Sequence, residues 1–364
     1  MFRIRTFFLL FLTTQILGAL GALTWKTFDI SSLLVEEAAN VKYQDVNGNT
    51  KNLEVILKEN GANNIKIRIW VNPSDGIYNL DYAVKLGLRA KAAGLSVTLN
   101  LHYSDTWADP GHQTTPSAWS SYTITQLAAA VKSYTTNVLN TFASNGINVN
   151  LISIGNEIRA GLLWPLGSYT NFANIGTLLT AGAQGVRASS LSSALIMIHL
   201  DEGYSWDTQK WFYDSLAASG TFSMSSFDVQ GVSYYPFWST SSTIANFQTA
   251  VNNMANTYGK KIIVMETDYP VACSTTTNFP PSLLSAYPFS AAGQVSWVKA
   301  IATVVKAIPN SLGVGVMYWE PGWIDNASLG SSCSDNVLFT GDWSGYPSTV
   351  IAKARSSVNM MSQI

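Results

Sequence analysis

Charged residues are scarce in this 364-residue sequence, and histidine and cysteine are scarcer still. Only 12% of the residues are charged, whereas average soluble domains carry roughly 25%. The 21 lysines and arginines are balanced by 22 aspartates and glutamates, and they form no basic stripe. The electrostatic footprint for phosphate groups is therefore missing, and we expect no nucleic-acid partner.

Apolar and aromatic residues are abundant instead. Hydrophobic residues make up 47% of the chain, which is enough to offset the entropy of ordering it and excludes a disordered protein. Twelve tryptophans, 16 tyrosines and 15 phenylalanines allow two interpretations. They fill a large core, or they stack on a neutral ligand rich in hydroxyl groups.

Residues 1–21, MFRIRTFFLLFLTTQILGALG, have the pattern of a secretory signal peptide. Arg3 and Arg5 precede a short apolar run, and the small residues Ala19 and Gly21 precede the predicted cut. A buried N-terminal helix is the alternative. Because no other stretch reaches the ~18 apolar residues of a membrane span, we predict a secreted, extracellular protein without a membrane partner.

The only cysteines are Cys273 and Cys333. An oxidising compartment favours a disulfide between them, with two free loop thiols as the alternative. Two cysteines do not provide a four-ligand metal site, and we expect no metal and no cofactor. A single glycosylation sequon, Asn326-Ala-Ser328, predicts a glycan on Asn326.

Short β-branched runs alternate with longer segments of helical periodicity. The predicted strands are 65–71, 95–101, 151–155, 195–200, 229–234, 261–266 and 314–319, with an eighth near 27–31. Near-continuous apolar runs are typical of parallel strands covered on both faces. Eight strand–helix repeats predict an α/β fold, a single (β/α)8 TIM barrel over residues 22–364. The competing fold, a doubly wound open sheet, usually carries a glycine-rich phosphate loop, which is missing here.

Functional residues of such a barrel lie where its strands end. Acids, amides, imidazoles and aromatics gather at these positions, and they are our candidate site residues: Arg68, His102, Asp105, Trp107, Asn156, Glu157, His199, Asp201, Tyr234, Glu266 and Trp319.

Glu157 and Glu266 each follow an apolar strand, roughly opposite each other across the predicted barrel mouth. Glycoside hydrolysis needs one protonated carboxyl group to donate to the leaving oxygen and, in retaining enzymes, one ionised group to attack the sugar. We expect Arg68 and Tyr234 to keep Glu266 ionised, and Asn156 to donate to a sugar hydroxyl. The alternative is a pair of unrelated glutamates held in salt bridges.

Other chemistries fit the sequence less well. It contains neither the HExxH pattern of zinc proteases nor the GxSxG nucleophile elbow. A zinc site formed by His102, His199 and a rim carboxylate is one alternative, and contacts between these histidines and sugar hydroxyls are the other.

Several long strings resemble glycoside hydrolase family 53, a family of endo-β-1,4-galactanases in the large clan of retaining (β/α)8 hydrolases. The resemblance covers the chain after residue 21, and its most specific strings are SDTWADP (104–110) and GNEIRAGLLWP (155–165). Further strings are VMETDYPVAC (264–273) and YWEPGWI (318–324).

The resemblance implies that Glu157 is the acid/base and Glu266 the nucleophile. It implies hydrolysis of β-1,4-galactan, the plain or arabinose-decorated side chains of pectin, and a Cys273–Cys333 bridge like that of fungal members. Bacterial members can bind calcium in a late loop, where this chain has Asp325 and Asp335. The fungal branch is expected to lack the ion.

Two positions depart from the family pattern. Thr27-Phe28 stands where Gly-Ala is expected, so that Phe28 either crowds the barrel interior or replaces a core residue. Asn100 stands where an aspartate is usual, which removes a charge near the rim. Both departures bear on the level of activity more than on the type of reaction.

Three functions remain open at this point. The first is a secreted, monomeric endo-β-1,4-galactanase with a polysaccharide substrate. The second is another retaining endoglycanase of the clan, a mannanase or a cellulase, because these enzymes use the same pair of glutamates. The third is a carbohydrate-binding barrel without activity, which would normally have replaced one of the glutamates.

Overall fold

The structure is a computed structural model that describes residues 21–364, so the predicted signal peptide lies outside the described residues except for Gly21. The strands are β1 (Trp25–Asp29), β2 (Val41–Gln44), β3 (Asn64–Ile69), β4 (Ser96–Leu101), β5 (Val149–Ile154), β6 (Leu195–Leu200), β7 (Val229–Ser233), β8 (Lys261–Glu266), β9 (Ala272–Cys273), β10 (Gly313–Tyr318), β11 (Cys333–Asp335), β12 (Phe339–Asp342) and β13 (Val350–Ala354). The helices are α1 (Leu33–Ala38), α2 (Leu53–Glu59), α3 (Leu80–Ala92), α4 (Ile124–Ser144), α5 (Phe172–Arg187), α6 (Trp206–Ala218), α7 (Ile244–Tyr258), α8 (Pro281–Ala286) and α9 (Ala291–Lys306).

Eight parallel strands close into a barrel in the order β1-β10-β8-β7-β6-β5-β4-β3. This closure confirms the predicted (β/α)8 barrel and excludes the open sheet. Each predicted strand lies within two residues of its predicted bounds, and β6 and β8 match at both ends. The parallel arrangement brings the carboxyl ends of all eight strands to one rim, which is where the candidate residues lie.

Side chains along each barrel strand point alternately into the barrel and toward the surrounding helices. The interior holds a small apolar cluster: Trp25, Leu151, Met197, Val229, Ile263, Met265, Val314 and Met317. A larger cluster joins the strands to the helices and includes Phe28, which is fully buried and packs edge-on against Tyr318. Phe28 therefore replaces a core residue, and crowding of the barrel interior by Phe28 is not observed.

The longer helices begin at side chains that accept hydrogen bonds from otherwise unpaired backbone N–H groups. Thr123 and Gln126 form a reciprocal capping box at the start of α4, and Asn79, Ser205 and Thr243 cap α3, α6 and α7. None of the helices within residues 21–364 combines the length and the apolarity needed to cross a membrane.

Two small sheets flank the barrel. Strands β12, β13 and β2 form one of them, and β9 pairs with β11 in the other. Cys273 on β9 and Cys333 on β11 are joined by the predicted disulfide. Because β9 follows β8 and β11 follows β10, the bridge ties together the two loops that leave the rim after these barrel strands.

We expect removal of the disulfide to destabilise the fold without changing its chemistry. The bridge closes a loop with a sequence separation of 60 residues. In the chain-entropy model such a loop is worth on the order of 4 kcal/mol, as an upper figure. Urea unfolding of the Cys273→Ser/Cys333→Ser protein should show a lower free energy of unfolding, and equal stability of the two proteins would contradict this.

Candidate active site

A cleft of about 370 Å³ opens at the carboxyl ends of the barrel strands. Glu157 and Glu266 both line it, as the sequence predicted, together with Asp201, Trp107 and Trp319. The strands place the two glutamates on opposite sides, because Glu157 follows β5 and Glu266 ends β8. Their surroundings differ, and the difference determines what each carboxyl group is able to do.

Glu266 lies against hydrogen-bond donors. The residue is buried, with 6% of its surface exposed. Lys66 Nζ donates to Oε1 at 2.5 Å, and the Tyr235 hydroxyl donates to Oε2 at 2.9 Å. Lys66 is itself fully buried and also contacts Asp29 Oδ2 at 3.2 Å. A cation and a hydroxyl donor on the two oxygens both favour the ionised form of a carboxyl group.

The prediction that Arg68 and Tyr234 hold Glu266 is wrong for both residues. Adjacent strand residues point to opposite faces, so Tyr235 faces the cleft while Tyr234 faces the helices. Tyr234 stacks on Phe247 with ring centroids 4.3 Å apart, and its hydroxyl donates to the Ser242 carbonyl. Pairing with Glu266 falls instead to Lys66, two residues before Arg68 on the same face of β3.

Arg68 lies behind Trp107 and Trp319, two of the tryptophans that line the cleft. Its guanidinium pairs with Glu320, and the backbone N–H and hydroxyl of Ser32 also donate to that carboxylate. Burial raises the pKa of Glu320 to about 7, with a further contribution from Asp29, and the charge of Arg68 opposes the increase. The guanidinium lies 5.2 Å from the ring centroid of Trp107, within the range of a cation–π interaction.

Glu157 lies in surroundings that favour its protonated form. Burial is the main cause that raises its pKa well above the usual range, and the negative charges of Glu266 and Asp201 raise it further. The backbone of Glu157 has a φ of 47°, in the left-handed region that non-glycine residues rarely adopt. Such a conformation is found preferentially at functional sites, because the surrounding structure has to enforce it.

In the hydrogen-bond network behind Glu157, each donor and each acceptor can be assigned. The Asn156 amide donates to the Ala108 carbonyl at 2.7 Å, so Oδ1 is the atom that faces Asn100 and His199. Asn100 donates to this Oδ1 at 2.7 Å, and His199 Nδ1 lies 3.0 Å from it. Because Oδ1 only accepts, Nδ1 of His199 carries the proton. The Asn156 amide has a second hydrogen that could still donate to a sugar hydroxyl. That predicted contact therefore stays a prediction.

The polarity of this network continues to Glu157. Burial, followed by the charge of Lys66, lowers the pKa of His199 well below its usual range, so the ring is neutral. Its Nε2 is then an acceptor and takes the hydrogen of the Ser233 hydroxyl at 2.9 Å. Ser233 also contacts the Glu157 carboxyl. Because the Ser233 hydrogen points to His199, the Ser233 oxygen is available to accept from the Glu157 carboxyl group when that group is protonated.

His102 is held by donors as well. Its Nδ1 accepts from the Ala108 backbone N–H at 3.1 Å and from Trp70 Nε1 at 3.3 Å. Both nitrogens of His199 are likewise engaged by side chains. The zinc alternative is not supported, because His199 has no free nitrogen and the described residues contain no group of three or more His, Cys, Asp or Glu side chains that could hold a metal ion.

The two predicted aspartates have different positions. Asp201 lines the cleft, and its carboxylate forms a two-point contact with Arg159, with both closest distances at 2.9 Å. Asp105 does not line the cleft. Its carboxylate accepts from the backbone N–H groups of Asn72 and Ser117, so it holds two rim loops together.

Comparison with known proteins identifies the family. Residues 25–350 match the model of glycosyl hydrolase family 53. The chain belongs to this family. It is 54% identical over 327 residues to the probable arabinogalactan endo-beta-1,4-galactanase A of Neosartorya fischeri, covering 89% of this chain and 91% of the relative. It is 51% identical over 320 residues to the arabinogalactan endo-beta-1,4-galactanase of Humicola insolens, covering 88% and 96%.

A solved structure from a study of two fungal beta-1,4-galactanases extends this similarity to three dimensions. It is 49% identical to this chain and superposes with a TM-score of 0.88. The superposition covers 94% of this chain and 100% of the other. Family membership and fold thus agree with the resemblance that the sequence motifs carry.

Aromatic rings form much of the wall of the family 53 cleft. Trp107 and Trp319 both line it and meet edge to face, with ring centroids 5.9 Å apart. Trp107 therefore lies directly beside Trp319 in the wall of the cleft. Trp238 also lines the cleft and is 52% exposed.

Among the residues that contact the two glutamates, sequence reasoning missed Lys66, Ser233 and Tyr235. Lys66 had a signal, because it alternates with Arg68 in the otherwise apolar run NIKIRI, which places both on one face of a buried strand. Ser233 and Tyr235 had none, since a serine or tyrosine at a strand end is most often structural.

The late loop also differs from a calcium site. Asp335 is paired with Arg355, whose Nη1 and Nη2 donate to its two carboxylate oxygens at 2.8 and 2.5 Å. Asp325 is exposed on the neighbouring turn. Asn326, the predicted glycan acceptor, is partly exposed on the same turn, and its glycosylation stays a prediction.

Proposed function

We propose that this family 53 protein is a secreted, retaining endo-hydrolase that cleaves β-1,4-galactosidic bonds in the arabinogalactan side chains of pectin. The observation that carries the proposal is the contrast between two carboxyl groups in one cleft. Glu266 has a cation and a hydroxyl donor on its oxygens, whereas burial and two negative neighbours raise the pKa of Glu157. The names of the fungal relatives supply the choice of galactan.

The reaction assigned to these groups has two steps. In the first, Glu266 attacks the anomeric carbon while Glu157 protonates the glycosidic oxygen, so the leaving sugar departs with that proton and a glycosyl ester forms. In the second, Glu157 takes a proton from water, whose oxygen attacks the same carbon and releases Glu266. Lys66 and Tyr235 orient Glu266 throughout, and the network ending at Ser233 orients Glu157.

The substrate is neutral, so its binding rests on stacking and hydrogen bonds. We assign direct contact with the sugar to Trp319, Trp107 and Asp201, which line the cleft. The remaining predicted binding residues that surround the site, Arg68, His102 and His199, are almost fully buried behind it and act by positioning.

Assays on several polysaccharides test this proposal and separate it from a mannanase or a cellulase. We expect release of reducing sugar from β-1,4-galactan, with far slower release from mannan and carboxymethylcellulose. Proton NMR of the first product should show the β-anomer, which then mutarotates. Preference for mannan or cellulose, or an α-anomer as first product, would contradict the proposal.

The activity should fall as pH rises through the pKa of Glu157, because the acid must be protonated to act. Asp201 raises that pKa, so Asp201→Asn should move the alkaline limb of the kcat/KM profile to lower pH. The same substitution frees the charge of Arg159 from its partner Asp201, and this charge also lowers the pKa of Glu157. A pH profile measured on an activated aryl galactoside and on galactan checks this, and an unmoved alkaline limb on galactan would contradict it.

A further inference from the structure

A second groove adjoins the catalytic cleft. It has a volume of about 410 Å³ and lies between the turn after β6 and the loop that leads from β7 into α7. We call it the distal groove and define it by Glu202, Tyr204, Trp206, Ser239, Asn246 and Thr249. Glu202 and Tyr204 line both the cleft and the distal groove, so the two are continuous.

The distal groove leaves the cleft on the side of the proton donor. Arg159 follows Glu157 by two residues, pairs with Asp201 and reaches Glu202 at 3.6 Å. The turn that carries Glu157 is thereby tied to the junction between cleft and groove. Since the leaving sugar receives its proton from Glu157, the part of the polysaccharide that departs extends toward this side.

The lining of the distal groove suits a neutral chain of sugars. It offers hydroxyl, amide and carboxylate groups beside the rings of Tyr204 and Trp206, and the described lining includes neither lysine nor arginine. Aromatic faces with nearby hydrogen-bonding groups are how proteins bind uncharged sugars in shallow grooves. Trp206 is partly buried and backed by Tyr258, with ring centroids 6.2 Å apart.

The walls of the distal groove are held in place before any ligand binds. Glu202 has a left-handed backbone with φ 51°, and its carboxylate accepts from the Thr208 hydroxyl at 2.8 Å. On the other wall, the Asn246 amide donates to the Ser241 carbonyl at 2.9 Å. Preorganised groups of this kind lose little conformational freedom when a ligand binds.

We propose that the distal groove is a binding subsite for the leaving-group portion of the galactan main chain, beyond the sugars that lie over the catalytic carboxyls. This inference rests on the proposed galactanase function and adds to it the path of the substrate. It explains why a groove without catalytic groups is continuous with the cleft on the side of the acid.

The test compares two tryptophans of the same helix. Trp206 lines the distal groove, whereas Trp211 packs on Phe172 and lines neither cavity. The substrates are β-1,4-galacto-oligosaccharides of increasing length, labelled at the reducing end. Trp206→Ala should lower kcat/KM about fivefold to tenfold on long substrates, mainly through KM, because a remote contact binds substrate and transition state about equally.

The products give a second readout that a merely structural effect leaves unchanged. Without the distal groove, fewer sugars bind beyond the cleaved bond on the reducing side, so Trp206→Ala should release shorter labelled fragments. Trp211→Ala should retain the wild-type length dependence and fragment pattern. Equal behaviour of the two variants, or a loss by Trp206→Ala that is independent of substrate length, would overturn the proposal.

A blocking substitution keeps the test valid if Trp206→Ala folds poorly. Thr249→Arg fills the distal groove from the exposed face of α7, and Thr257→Arg is its matched control, on the same helix and outside the groove. Only Thr249→Arg should reproduce the selective loss on long substrates. Wild-type protein that fails to cleave galactan would contradict the galactanase function itself, independently of these comparisons.

Discussion

Glu266→Ala should lose nearly all activity on every substrate, by roughly 10⁴- to 10⁶-fold in kcat. The reason is that no glycosyl ester can form without the nucleophile. The folded state should survive, because the substitution removes one of two carboxylates that share the buried cation Lys66 and leaves Asp29 to pair with it. Kinetics beside melting curves check both statements.

The Glu157→Ala variant tests which glutamate is the acid/base and which is the nucleophile. An activated aryl galactoside needs little protonation, so this variant should still form the glycosyl ester on it. Added azide should then restore turnover and give a β-galactosyl azide, because it attacks the ester with a second inversion. Rescue of Glu266→Ala to the same β product, with none for Glu157→Ala, would reverse the assignment of the two glutamates.

Lys66→Met should show the second large effect, through both stability and catalysis. The variant leaves Asp29 and Glu266 buried without a cation, and removing one partner of a buried ion pair typically costs about 3–5 kcal/mol. Activity should fall by about 10²-fold, mainly in kcat, because the nucleophile loses the cation that holds its carboxylate in place.

Lys66→Arg is the matched control, since it keeps the charge and changes only the geometry of donation. We expect it to recover part of the stability and part of the activity that Lys66→Met loses. A Lys66→Met protein that melts earlier but keeps the wild-type kcat would show that Lys66 only stabilises the barrel. That result would contradict its role in holding the nucleophile.

The fold was predictable because its signals are strong and repeated. Each barrel strand is a short apolar run, and each long helix carries apolar residues at helical spacing and ends near a glycine or a polar turn. The positions of Glu157 and Glu266 followed from the same runs, since the polar residue at which an apolar strand ends lies at the rim of a parallel barrel.

Partners within the site were not predictable in the same way. A one-residue difference decides whether Tyr234 or Tyr235 faces Glu266, and strand ends vary by about this much. The choice between Lys66 and Arg68 depends on how far each side chain reaches across the barrel, which the sequence does not contain. The hydrogen-bond polarity from Asn156 to Ser233 emerges only when donors and acceptors from four strands or their ends are counted together.

Covalent trapping tests the central assignment most directly. A 2-deoxy-2-fluoro-galactobioside with an activated leaving group should form a stable ester. The fluorine slows both the formation and the hydrolysis of the ester. The activated leaving group speeds only its formation, so the ester accumulates. Mass spectrometry of the digested protein should place the added sugar on the peptide that contains Glu266. A label on another residue, or turnover without any covalent adduct and with an α-configured product, would contradict the proposed mechanism.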